Sequence, residues 1–152
     1  MVIAVAGGLV ASGLVILTVG VTVTFVHSDL EFLGVTAGQL EAINPRLIPL
    51  IAHDRVGFAG AVVTGGVLIG VAAWWGEGPA VRQAIGIAGL VAFGSSLAIH
   101  LTVGYTDLLH LAPNLVGPVA LGAGMLHWVW ACGQSTPAPL RNPSRVADEQ
   151  AH

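Results

Sequence analysis

The chain predicts an all-α fold: an integral-membrane four-helix bundle with short interfacial helices in the outer loop between spans one and two. Three observations lead there. Hydrophobic residues make up 55% of the 152 residues and charged residues only 9%, lysine is absent, and mean hydropathy is +0.84. Soluble domains carry about 25% charged residues, and a soluble globule of this composition would leave extensive apolar surface in water. The charges are also segregated, leaving four uncharged runs, Val2–Val26, Val56–Trp75, Ala84–Val103 and Leu115–Cys132. A helix needs about 20 apolar residues to cross roughly 30 Å of hydrocarbon. Finally, small residues recur every fourth position within these runs, as close packing between helices in lipid requires.

The first run lacks the basic start of a secretion signal and reads as a retained span. In the loop that follows, SDLE (Ser28 to Glu31) and TAGQ (Thr36 to Gln39) match the capping box, which satisfies free N–H groups at a helix start. Gly34 suits the end of the first short helix, and Asn44-Pro45 suits the start of a third. These turns form a lid, with Leu30, Phe32, Leu33, Leu40 and Ile43 to bury. Pro118 falls in the first turn of the fourth run, where it need not bend the helix. Residues 1–133 thus read as the membrane domain. Residues 134–152, proline-rich with mixed charge and no apolar periodicity, read as a disordered tail.

Arginine placement sets orientation, because basic short loops stay in the cytoplasm. Arg82, Arg141 and Arg145 lie on one side and Arg46 and Arg55 on the other. Both termini are therefore expected inside a cell membrane, with Trp74, Trp75, Trp128 and Trp130 at the inner interface. The formal charge of -3 argues for no nucleic-acid partner. A single cysteine, Cys132, excludes an internal disulfide. No G-x-G-x-x-G, P-loop, G-x-S-x-G or C-x-x-C occurs, so the common nucleotide-binding and hydrolase chemistries lack their signatures.

The polar chemistry gathers around two histidines. Gly57, Ala61 and Gly65 share a face of the second span with His53 one step earlier, and Ala84, Ala88, Ala92 and Ser96 share a face of the third with His100 one step later. If these stripes are the packed seams of antiparallel neighbours, His53 and His100 sit at similar depth and face inward. Asp107 and His110 join the same outer mouth, whether the third helix runs past Gly104 or breaks there. On the fourth span the seam Gly117, Ala120, Gly124 carries His127 to the inner end. Gly66 and Gly70 form a G-x-x-x-G pointing to close helix contact or dimerisation.

Three kinds of chemistry fit such a mouth. His53, His100 and His110 have the character of haem ligands, on facing helices. His53, His100, Asp107 and His110 have the donor types of a transition-metal site. His100 with Asp107, or His53 with Asp54, would suffice for proton handling or quinone binding, because imidazole titrates near neutrality. The structural reading beside these is an interfacial ion pair of Asp54 and Arg55 that fixes the lid to the bundle, with Tyr105 as an interfacial anchor.

The segments FLGVTAGQLEAINPRLIPLIAHDRVGFAGA and HLTVGYTDLLHLAPNLVG resemble a group of small bacterial multi-pass membrane proteins. That group carries an AINPRL-PLIAHDR-GF-G block and a later H--VGYTD--HL-P block. The likeness covers about residues 25–117. It implies a bacterial inner membrane and a shared outer site, and assigns no catalytic residue. Some relatives carry a dihydroorotate dehydrogenase label, but this chain has neither the length nor the phosphate-binding loops of a flavin barrel. The functional expectation is an accessory or structural subunit of a larger respiratory or photosynthetic membrane complex, in contact with lipid and with partner chains or a second copy. A haem- or metal-binding redox protein is the alternative, and a small transporter the third.

Overall fold

The computed structural model describes residues 1–76 and 78–133, so the expected tail lies outside the described residues. Among the described residues six helices follow one another, with no strand: α1 (Val2–Thr22), α2 (His27–Leu33), α3 (Ala37–Ile43), α4 (Leu47–Trp75), α5 (Pro79–Val103) and α6 (Leu108–Gly133). Three of them, α1, α4 and α5, are long and apolar enough to cross a membrane. Their large side chains, Leu68 and Leu90 among them, stay exposed, which fits lipid as their solvent. Hydroxyls on the long helices turn back to the carbonyl one turn earlier: Thr18 donates to Leu14 at 2.9 Å, Ser95 to Val91 at 2.7 Å and Thr102 to Ala98 at 2.7 Å. Each polar group is thereby satisfied without water, as a hydrocarbon medium demands.

The long helices pack as two antiparallel pairs, α1 on α4 and α5 on α6, and α1 also meets α6. Ala6, Gly13 and Gly20 of α1 recur every seven residues and meet Gly66, Val63 and Val56 of α4. A seven-residue period keeps a seam facing its partner along the helices. A Cβ added to Gly13 would lie 2.7 Å from Val63 Cγ2 and 3.0 Å from the Ala59 carbonyl oxygen. In the second pair, Gly89 of α5 receives Leu121 and Gly117 of α6 receives Phe93. The two pairs join through Val2, Val5, Ile85 and Leu121, all buried.

Two of the expected seams are therefore rotated by about one residue, some 100° around the helix. On α4 the packed face is Val56, Ala59, Val63 and Gly66, whereas a Cβ added to Gly57 or Gly65 would meet nothing within 4 Å. On α5 the packed face is Ile85, Gly89 and Phe93, whereas Ala84, Ala88 and Ala92 are exposed. Bulky residues explain the shift: Val63, Phe93 and Leu121 fill the grooves that opposing glycines create, so the seam pairs large with small. On α6 the expected seam holds as far as Gly124, which lies against Met1 and Val2. Gly66 of the G-x-x-x-G is used inside the chain, against Ala6 and Val10.

The two short helices of the lid are present, but of the side chains expected to be buried there only Leu40 is, Leu30 is half-buried, and Phe32, Leu33 and Ile43 stay exposed. Thr36 caps α3 as a true box: its Oγ1 accepts from Gln39 N at 3.3 Å, and its own N–H donates to Gln39 Oε1 at 2.8 Å. At α2 the reciprocal carboxylate is Asp29 rather than Glu31, accepting from Val26 N at 3.0 Å, so the helix begins earlier than the Ser28 box implies. Gly34 ends α2 at φ 67°, the left-handed conformation glycine tolerates. Asn44-Pro45 does not open a separate third helix; α4 starts at Leu47 and runs unbroken for 29 residues. That length is about 44 Å, more than the roughly 30 Å of hydrocarbon. Gly20 of α1 lies against Arg55 and Val56, so the first turns of α4 rise beyond the end of α1 and the lid helices sit beside them.

Gly104, at φ 76°, breaks the chain between α5 and α6. The Asp107 carboxylate then accepts from His110 N at 2.8 Å and caps the start of α6. Because α6 starts at Leu108, Pro113 and Pro118 are both interior to it, which corrects the first-turn placement of Pro118.

Candidate functional site

The polar centre of the molecule is Asp29, in the first turn of α2. Its side chain is only 8% exposed and faces Arg55 of α4 at 2.9 Å. The Tyr105 hydroxyl, from the turn between α5 and α6, lies 2.9 Å from Asp29 Oδ1 and 2.9 Å from Ser28 Oγ, and donates to the carboxylate. With the Val26 N–H, three donors converge on one carboxylate from three parts of the chain. Among the described residues no buried side-chain nitrogen or oxygen lacks a partner. This latch ties the lid to α4 and to the α5–α6 turn.

Beside it lies an aromatic cluster. Tyr105 has its ring centroid 4.7 Å from His110, 4.9 Å from Phe32 and 6.0 Å from His100, and the two imidazoles are 5.2 Å apart. His100 Nδ1 is 2.7 Å from the Ser96 carbonyl oxygen, which can only accept, so that nitrogen carries the proton. The break at Gly104 folds Tyr105 and α6 back over the end of α5, which is why residues 100 and 110 meet.

Of the residues singled out in the sequence, His100 and His110 are brought together, and Asp107 stands at the start of the same helix as His110. His53 is not part of the group. Its side chain is 83% exposed, and its Nδ1 lies 3.1 Å from Asp54 Oδ1. The rotated packing face of α4 is the cause: Val56 and Ala59 turn inward, which carries His53 outward. The expected Asp54–Arg55 pair is likewise replaced, for Arg55 reaches Asp29 in α2 and Asp54 faces His53. The ligand sets expected for haem or a metal are thus not gathered as a whole, because His53 stands apart from His100 and His110. Among the described residues no three His, Cys, Asp or Glu side chains form a metal-ligand set. His100 and His110 pack on each other and on Tyr105, so no gap for a macrocycle separates them.

Asp29 and the role of Tyr105 are what sequence reasoning missed. Asp29 was one of several acids in the first loop, and nothing local distinguished it. That a half-buried arginine needs a carboxylate does not choose among those acids.

Next to the latch a cleft of about 820 Å³ opens between α1, α4 and the starts of α2 and α6. Val15, Ile16, Val19, Ile51 and Phe58 form its apolar walls, and His27, Glu31, Asp54, Arg55, Asp107 and His110 its polar side.

Burial alone would raise the Asp29 carboxyl, but hydrogen bonds from Val26, Tyr105 and Arg55, with the Arg55 charge, outweigh it and hold the group below its ordinary value. Burial pushes the Tyr105 hydroxyl up, the adjacent Asp29 charge adding to this against the Ser28 hydrogen bond. A lowered acid contributes stability above its unfolded value of about 3.9 and loses it as pH falls through the lower folded value. A raised phenol contributes below about 10 and loses it as pH rises through the higher folded value. The melting temperature in detergent should therefore show a plateau between these limits and fall on both sides. Replacing Tyr105 by Phe should flatten the alkaline limb and also shrink the acid limb, because it removes one of the hydrogen bonds that hold Asp29 low while leaving those from Val26 and Arg55.

The class these features define is a helical protein with three helices able to cross a membrane and a lidded polar site at one end. No protein-family model, curated protein or solved structure matches the chain.

Proposed function

We propose that the chain is an accessory, non-catalytic subunit of a larger assembly in the bacterial inner membrane, with α6 as a fourth span and the lid on the outer face. The observation carrying this reading is that two small-residue stripes, Gly57–Ala61–Gly65 and Ala84–Ala88–Ala92, are left open on the outside of the chain. Helices in lipid associate where small residues let backbones approach. The latch supports the same reading, since its groups are already satisfied by one another and act as architecture. Orientation rests on the arginine count, Arg82, Arg141 and Arg145 against Arg46 and Arg55.

Purification from native membranes in mild detergent should recover partner chains in fixed ratio. Gly57→Leu should strip those partners yet leave the isolated chain's stability within about 0.5 kcal/mol, because nothing lies within 4 Å of the added Cβ. Migration of the wild-type chain as a lone monomer would remove the reading.

A further inference from the structure

The cleft beside the latch carries an inference independent of any partner chain. Its volume, about 820 Å³, lies in the range of small-molecule sites, roughly 300–1,000 Å³. Its walls and its rim differ in character. The walls are aliphatic and aromatic side chains of α1 and α4, continuous with helices that suit a bilayer, so an apolar body can enter from the hydrocarbon side. The rim is acidic. Glu31, Asp54 and Asp107 all line it, and the one guanidinium there, Arg55, is already committed to Asp29.

Each rim carboxylate uses a single oxygen within the chain. Glu31 Oε2 is 4.0 Å from His27, Asp54 Oδ1 is 3.1 Å from His53, and Asp107 Oδ1 accepts from His110 N at 2.8 Å. The second oxygen of each is left for a ligand. Phe58 adds an aromatic wall, whose face attracts a cation.

We infer that this cleft binds a lipophilic organic cation, a molecule with an apolar body and a single positive centre, seated with its charge among Glu31, Asp54 and Asp107. An anionic amphiphile of the same shape is rejected by the same three groups. A neutral one gains only the walls.

Tetraphenylphosphonium and tetraphenylborate provide the test, since they share a shape and differ in the sign of their charge. Equilibrium dialysis of the full chain in an uncharged glycoside detergent should show saturable binding of the cation, one per chain. Its affinity should exceed that of the borate at least about tenfold. Asp54→Asn and Glu31→Gln should each weaken the cation severalfold, and adding Asp107→Asn, which keeps the helix cap, should leave only non-saturable partition into micelles. Circular dichroism would show that the triple variant stays folded. Equal binding of both ions, or saturable binding that survives the triple substitution, would overturn the inference. So would displacement of the probe by one phosphatidylethanolamine per chain, which would make the cleft a lipid-headgroup site. Because the assay uses the isolated chain, its failure leaves the subunit reading standing, and loss of that reading leaves the assay unaffected.

Discussion

Asp29→Ala is expected to lower stability by about 3 kcal/mol, the lower end of the range for removing one member of a buried ion pair. The lower end applies because the Arg55 side chain keeps 21% of its surface exposed. The loss has three sources: a guanidinium without its counter-charge, the Tyr105 hydroxyl without its acceptor, and the Val26 N–H without its cap. Since most of the penalty is an uncompensated charge, removing the charge as well should relieve it. Asp29→Ala with Arg55→Met is therefore expected to be no less stable than Asp29→Ala alone, where independent effects would add. Unfolding of the four proteins in mixed micelles, followed by circular dichroism, closes the cycle. Simple additivity would mean that the two side chains are neighbours without being coupled.

The second large effect lies in the seam between α1 and α4. Gly13→Ala places a Cβ 3.0 Å from the Ala59 carbonyl oxygen and the Val63 backbone nitrogen, and Gly66→Ala places one 2.9 Å from the Ala6 carbonyl oxygen. Backbone atoms cannot swing aside as a side chain can, so the two helices must separate. The expected cost is about 1–3 kcal/mol at each site, the usual range for overpacking. Gly60→Ala, with nothing within 4 Å, serves as the control and should be neutral or slightly stabilising, because alanine loses less backbone freedom in a helix. Equal behaviour of Gly13→Ala and Gly60→Ala would mean that α1 and α4 do not lie as close as these distances require.

How much of this was legible beforehand depends on the range of the interaction. The apolar runs, the Thr36 box, the Gly34 terminus and the meeting of His100 with His110 all rest on local chemistry: hydropathy, a capping carboxamide, a left-handed glycine and a glycine break. What failed was the choice of packed face. Gly57–Ala61–Gly65 looks like a seam by composition alone, yet the true seam of α4 pairs Val56 and Val63 with glycines of another helix. Small residues permit approach, but only the partner's large ones decide where it happens. The misplacement of His53 follows from that single rotation. Asp29 could not be read for a different cause, because its partners are 26 and 76 residues away. No periodicity within one helix encodes such a meeting.

The offset between α1 and α4 makes the first helix a spacer of fixed pitch. Everything between Thr22 and Asp29 hangs from its upper end, while Arg55 is held by its neighbour. Inserting one residue into α1 would lift that end by about 1.5 Å and swing it about 100°, far beyond the tolerance of a hydrogen bond. Homologues of this chain should accordingly keep the count of residues along α1 constant.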